Sequence, residues 1–332
     1  MMDSYAHQAC TRCRTQKRRC SRLLPVCVRC KRLNLRCHYP GYSSSESPPM
    51  ANVTQSPLAA LGHSLQSQVF STIGDAISIS QSAAAYFSTV HVWFPTLDRG
   101  VYSRRLPELH VDPLPGFSLL TLCIYLIGLP PLEDGFSNHM NALYIQLAGC
   151  VASLTAVGVH SLDLLHSRLL LSLFEVGHGM YPVADISMGA NARAAEAMGV
   201  YLPSDQLYDQ LGSVEAAEDA RRIWQGMLIL DRCIALEMGK PPTIPPSPRP
   251  EQTRAMSPQI TPNAAESTQL TRLLLASTHL TQVLSHVHIR TSSQQKSAEA
   301  MRIVESLASF RDTLAQSNET SLAYPAAPLC SR

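Results

Sequence analysis

Six cysteines fall within the stretch CTRCRTQKRRCSRLLPVCVRCKRLNLRC: Cys10, Cys13, Cys20, Cys27, Cys30 and Cys37, spaced C-x2-C-x6-C-x6-C-x2-C-x6-C. A C-x2-C pair sets two sulfurs on one side of a tight turn, close enough to share a metal ion. Zinc takes four thiolates in a tetrahedron, with Zn–S near roughly 2.3 Å. One zinc would leave two of the six cysteines idle, and two separate zincs would need eight sulfur positions. The count closes if two thiolates each bridge both metals. The run also repeats itself, because Cys10, Cys13 and Cys20 recur seventeen residues later as Cys27, Cys30 and Cys37. By that symmetry the natural bridging pair is Cys10 and Cys27, which head the two copies. One zinc then takes Cys10, Cys13, Cys20 and Cys27, and the other takes Cys10, Cys27, Cys30 and Cys37, so two Zn2+ per chain are expected.

An even number of cysteines in a short stretch also admits three disulfides in a secreted domain. The opening MMDSYAHQAC lacks the apolar run of a secretory leader. Like charge between the cysteines also suits a polyanion partner better. Residues 1–40 hold ten Lys or Arg (Arg12, Arg14, Lys17, Arg18, Arg19, Arg22, Arg29, Lys31, Arg32 and Arg36) against the single acid Asp3, a side-chain charge of +9. Six thiolates with two zinc dications bring that to about +7. The formal charge of the whole chain is only +2, so the rest carries −7. A basic head on an acidic body points to nucleic acid, whose counterions such a head would release on binding.

The string ACTRCRTQKRRC…PVCVRCKRLNLRCHYP resembles the DNA-binding domain of fungal binuclear zinc cluster transcription factors, with all six cysteines at the family spacing. The resemblance implies bridging thiolates, as counted above. It also implies that the helix after the second cysteine enters the major groove and reads a CGG-type triplet. The family's basic string appears here as Arg14-Thr15-Gln16-Lys17-Arg18-Arg19-Cys20, with Gln16 where a base is usual. The implied DNA-binding residues are Arg14, Lys17, Arg18 and Arg19. Lys17 stands where the family donates to guanine edges, and Arg14 and Arg19 stand where it holds phosphates. Such a major-groove contact discriminates bases by about 1–3 kcal/mol, whereas phosphate contacts set register without reading sequence. Pro25 lies in the loop joining the halves, as in the family.

These residues must be carried by a larger frame. We read 1–40 as the zinc cluster domain and the Ser/Pro-rich 41–57 as a flexible linker. An all-helical regulatory domain follows over 58–245, then a Pro-rich break at 246–265, a C-terminal helical pair at 266–315 and a disordered tail at 316–332. The fold class expected is a small zinc-organised DNA-binding module plus an all-α regulatory domain. Long runs rich in Ala, Leu and Met, scarce strand alternation and Gly and Pro in the gaps predict helices near 58–80, 80–93, 117–128, 139–158, 161–176, 183–199, 213–238, 266–288 and 295–315. The segment AAAYFSTVHVWFPTLDRGVYSRRLPEL at Ala83–Leu109 resembles the opening of the family's middle homology (regulatory) domain. Segments Leu169–Val200 and Arg221–Pro242 are similar to its later parts.

Other readings of the body are weaker. Ala142–Val159 holds eighteen residues without a charge, but Gln146, small polar interruptions and the adjacent Asp163 favour a buried helix over a membrane span. The stripe Leu58, Leu61, Leu65, Val69, Ile73 and Ile77 reads as a core face rather than a coiled coil, since the heptads are not sustained. No G-x-S-x-G elbow, H-E-x-x-H or dinucleotide glycine fingerprint occurs, so no enzyme is expected. Scattered His91, His160, His166 and His178 read as satisfied core or surface groups, and Cys123, Cys150 and Cys233 as buried apolar thiols. The expected partner is double-stranded DNA in the nucleus, with a homodimer, transcription co-regulators or a small-molecule effector as further candidates. The competing function is a zinc-stabilised RNA-binding or protein-interaction module.

Overall fold

A computed structural model of the 332-residue chain describes residues 5–15, 17–32, 37–39, 57–111, 114–130, 138–245, 264–288 and 293–318. The chain divides into two compact units, Met1–Thr54 and Gln55–Arg332. Among the described residues every regular element is helical.

The first unit holds two five-residue helices, α1 (Thr11–Thr15) and α2 (Val28–Arg32). Helices this short do not persist in water on their own. They are held by a small core in which Cys10, Cys13, Cys27, Cys30 and Tyr39 are buried, with Ala6, Cys20, Leu24 and Cys37 packed around them. The N-terminal segment is pinned to the central loop by an antiparallel bridge between Tyr5 and Leu23 and by the Ala6 N–H donating to the Arg22 carbonyl at 2.7 Å.

The second unit is a stack of helices: α3 (Pro57–Thr72), α4 (Ala76–Ser88), α5 (Val90–Trp93), α6 (Arg99–Arg105), α7 (Glu108–Val111), α8 (Pro115–Gly128), α9 (Asn138–Ala156), α10 (Leu162–Gly177), α11 (Tyr181–Ala197), α12 (Ser204–Leu211), α13 (Val214–Met238), α14 (Ala264–His288) and α15 (Ser293–Asn318). Helix α8, with Pro115 pre-set in its first turn, is apolar nearly all round. It therefore lies at the centre, packed against α3, α4, α9 and α10. Helix α10 sits between two cores. Leu164, Leu170, Leu171 and Phe174 join the core around α8, while Leu165, Leu169 and Leu173 join the core of α11 and α13.

The ends of these helices are written in local chemistry. The side chains of Asp75, Asp98, Ser161 and Ser213 accept the N–H groups of Ser78, Val101, Leu164 and Ala216, at 2.9, 2.8, 3.2 and 3.1 Å. Each cap satisfies a donor that the first helical turn leaves open. A buried pair ties the C-terminal helices on. Asp231 accepts from the Thr243 and Ile244 N–H groups at 2.9 and 3.0 Å, and Arg232 donates to Asp231 at 2.7 Å and to Thr281 of α14 at 3.0 Å. Helix α15 packs on α14 through Phe310 and His279, whose rings lie 4.9 Å apart.

The single helix expected over 58–80 is two. Gly74 adopts φ +113°, a conformation that suits glycine, and Asp75 then caps α4. The apolar stripe is cut accordingly: Leu65 and Val69 are buried, whereas Ile77 is 67 % exposed. The helix expected over 80–93 is the second half of α4 plus α5, interrupted at Thr89. Helices α6, α7 and α12 fall in stretches assigned no helix from periodicity, since each is too short to show a repeat. The uncharged Ala142–Val159 stretch forms most of α9, with Leu147 and Leu154 fully buried. No single helix among the described residues is long and apolar enough to cross a membrane. Most of the linker 41–57, the Pro-rich break 246–265 and the tail 316–332 lies outside the described residues.

Candidate metal centre

The six predicted cysteines come together. Their sulfurs form two sets of four, Cys10/Cys13/Cys20/Cys27 and Cys10/Cys27/Cys30/Cys37, and within each set all lie within 4.8 Å of one another. Cys10 and Cys27 belong to both sets. A zinc–sulfur bond of roughly 2.3 Å fixes the tetrahedron's S···S edge at roughly 3.8 Å. The separations Cys10–Cys27, Cys10–Cys30 and Cys13–Cys27 are 3.9, 3.8 and 3.9 Å. These three pairs are already at the spacing that a bound zinc would impose.

Electrostatics make the same point. Burial pushes the Cys10, Cys13, Cys30 and Cys37 thiols up, because a thiolate in that core loses its hydration. At Cys27 burial acts in the same direction but is outweighed by the Cys30 N–H and neighbouring thiols, which bring it down to about 6. Six adjacent thiolates repel one another, and cations shared between them remove that repulsion.

Two short helices place the sulfurs, and each is capped by the other copy of the repeat. The Thr11 N–H at the start of α1 donates to the His38 carbonyl at 2.8 Å. The Val28 N–H at the start of α2 donates to Ser21 Oγ at 2.8 Å. Thr11 and Val28 are seventeen residues apart, as are Ser21 and His38, so the two caps are equivalent under the repeat. Each begins one residue after a shared cysteine, Cys10 or Cys27. The sequence reading passed over Thr11, Ser21, His38 and Tyr39, although the seventeen-residue offset pairs the first three with their counterparts.

The basic residues lie differently from expectation. Helix α1 does not follow the second cysteine but contains it, running from Thr11 to Thr15 around Cys13. It ends in a reversal where the Arg18 N–H donates to the Cys13 carbonyl at 2.9 Å and the Lys17 N–H to the Arg14 carbonyl at 3.1 Å. That is the Schellman pattern, which places its left-handed residue just past the helix. Here the residue is Lys17, with φ +48°. Glycine is usual in this conformation, and a side chain costs roughly 1–2 kcal/mol there. Arg14, Lys17, Arg18 and Arg19 are all exposed, with only Arg14 on the helix.

In the body, the aromatic motif is core. Tyr86 and Phe94 are fully buried, and His91 and His166 are 3 % and 1 % exposed. Arg105 makes a two-pronged bond to Asp163 at 2.7 and 2.9 Å and lies 4.2 Å over the Phe117 ring. Cys123 is buried, while Cys150 and Cys233 are half-buried. Beyond the six-cysteine cluster, no further group of three or more His, Cys, Asp or Glu residues among the described ones could hold a metal.

A basic, exposed loop built on a two-metal thiolate cage, joined in one chain to an all-helical body, is the architecture of a zinc-dependent DNA-binding regulator. A model of the fungal Zn(2)-Cys(6) binuclear cluster domain matches residues 8–45, and a model of the fungal specific transcription factor domain matches residues 83–321. The chain belongs to this family of fungal transcription factors, and its cluster is a two-zinc site. It is 27% identical over 160 residues to transcription factor BOA15 of Botryotinia fuckeliana (strain B05.10), a match covering 48% of this chain and 85% of BOA15. No solved structure matches it.

Proposed function

We propose that the protein is a sequence-specific regulator of RNA polymerase II transcription, acting in the nucleus and reading GC-rich, CGG-type triplets. The observation that carries this reading is the pair of four-sulfur sets that share Cys10 and Cys27. In this proposal one zinc is held by Cys10, Cys13, Cys20 and Cys27, and the other by Cys10, Cys27, Cys30 and Cys37. Lys17 donates to guanine edges in the major groove, Arg14 and Arg19 hold phosphates, and Arg18 is a further DNA-binding residue. The left-handed turn supports Lys17 in that role, because it carries the lysine off the helix on an exposed loop. The strained conformation fits a residue kept for what it contacts rather than for stability.

The helical domain over 58–245 and the pair over 266–315 regulate that reading. They do so through a second copy of the chain, a co-regulator or a small-molecule effector of a metabolic or secondary-metabolite pathway. Selection of random duplex DNA by the full-length protein tests the proposal. Enrichment of a GC-rich triplet, alone or as a spaced pair, supports it. Absence of any enriched motif, together with equal affinity for RNA, favours a zinc-stabilised RNA-binding module instead.

A further inference from the structure

Beside the sulfur cage lies one polar group that the zinc chemistry does not use. Tyr39 is 4 % exposed and shares the core of the cysteines. Its hydroxyl donates to the Leu23 carbonyl at 3.0 Å and stands 3.8 Å from Cys20 Sγ. Leu23 belongs to the loop between the two copies of the repeat, and Tyr39 closely follows the last cysteine of the second copy. The preceding residue, His38, receives the Thr11 N–H at 2.8 Å and the Thr11 hydroxyl at 3.2 Å. Residues 37–39 therefore form a strap fastened at two points, to the first copy at Thr11 and to the loop between the copies at Leu23. Cys20 is one of the two cysteines in the cage that are only half-buried, so it is a side from which a competing ligand could approach.

We propose that Tyr39 is a positioning residue that locks the strap and sets how fast the zinc on the Cys20 side leaves the protein. The phenol's single proton has two acceptors within reach, the Leu23 carbonyl and the Cys20 sulfur. Bonded to the first, it holds the strap shut with its oxygen covering the sulfur. Turned to the second, it donates to the thiolate that a departing zinc exposes. Losing an outer-shell hydrogen bond to a metal ligand costs about 10–100-fold in metal affinity in other sites.

This inference rests on the zinc-ligand assignment proposed above. Its test separates the two. Zinc-loaded full-length protein is mixed with excess chromophoric chelator, and the amplitude and rate of zinc transfer are followed for wild type and Tyr39→Phe. The phenylalanine variant keeps the buried ring and removes only the hydroxyl. An amplitude of two zincs per wild-type chain supports the ligand assignment and a smaller one contradicts it, whatever the rates show. One zinc leaving about 10-fold faster or more from Tyr39→Phe supports the lock. DNA affinity in saturating zinc is expected to stay within about twofold of wild type, since the hydroxyl makes no contact proposed for DNA. Identical release rates for Tyr39→Phe and wild type overturn the inference. So does a DNA affinity lost in saturating zinc, because Tyr39 would then serve recognition rather than retention.

Discussion

The buried imidazole of His166 gives the body a stability that acid should withdraw. His166 is 1 % exposed, and its Nε2 is hydrogen-bonded to Thr96 Oγ1 at 3.1 Å. Burial, then the Arg222 charge and the neighbouring His91, bring its pKa from 6.5 down to about 3. The folded state therefore resists taking a proton that the unfolded chain accepts readily. A lowered base pKa leaves stability intact above the unfolded value and removes it as pH falls below that value. The full difference, at about 1.36 kcal/mol per unit, is about 5 kcal/mol, and about 2.7 kcal/mol of it is gone by about pH 4.5. Glu175 works in the opposite sense, since burial raises its carboxyl and favours the acid form in the fold, so the wild-type pH profile alone is a sum. The assay is denaturant unfolding of the full chain at about pH 7 and about pH 4.5, followed by the far-ultraviolet helix signal, for wild type and His166→Gln. The amide keeps a hydrogen-bonding group near Thr96 and does not titrate. The variant should start less stable at neutral pH but lose about 2–3 kcal/mol less than wild type on acidification. Equal losses in the two proteins would refute the claim that this imidazole is held neutral by the fold.

Further outcomes follow from the same geometry. Cys10→Ala should abolish binding of both zincs and of DNA, whereas Cys13→Ala should leave the second four-sulfur set intact, with metal content read by elemental analysis. Lys17→Ala should relax base preference at one position of the selected triplet by about 1–3 kcal/mol. Arg14→Ala should instead weaken binding to all sequences alike and lower the salt dependence, and equal losses on every sequence for Lys17→Ala would count against these roles. A methyl group on Gly226 would lie 2.8 Å from Leu169 Cδ2 and Thr96 Cγ2 and 3.1 Å from Phe94 Cζ. Gly226→Ala should accordingly destabilise the body by about 1–3 kcal/mol, measurable as a lowered thermal midpoint.

Much of the metal centre was legible because thiol chemistry is stoichiometric. Six cysteines, a four-coordinate metal and a seventeen-residue repeat leave little freedom, and the sulfurs of Cys10 and Cys27 do lie in both sets. The long helices were legible for a similar reason: α10 and α13 carry an apolar periodicity that only one local structure satisfies. What escaped was set by single residues or by long-range packing. Gly74 divides one apolar stripe into two helices, a local signal that outweighs the periodicity around it. The ending of α1 at Thr15, with Lys17 left-handed, depends on two backbone hydrogen bonds that the basic string does not reveal. The cap from Ser21 to α2 and the bond from Tyr39 to Leu23 join residues seven and sixteen positions apart, each of an ordinary type. Helices α6, α7 and α12 are too short to advertise themselves and are fixed by the neighbours they pack against.

The most direct test is the zinc content of the purified full-length protein, measured under reducing conditions beside a count of its reactive thiols after metal removal. Two zincs per chain, with all six cluster cysteines recovered as free thiols, is the result expected from a cage that shares Cys10 and Cys27. A folded, DNA-binding protein that holds one zinc or none, or that yields cystines within Cys10–Cys37, would contradict it.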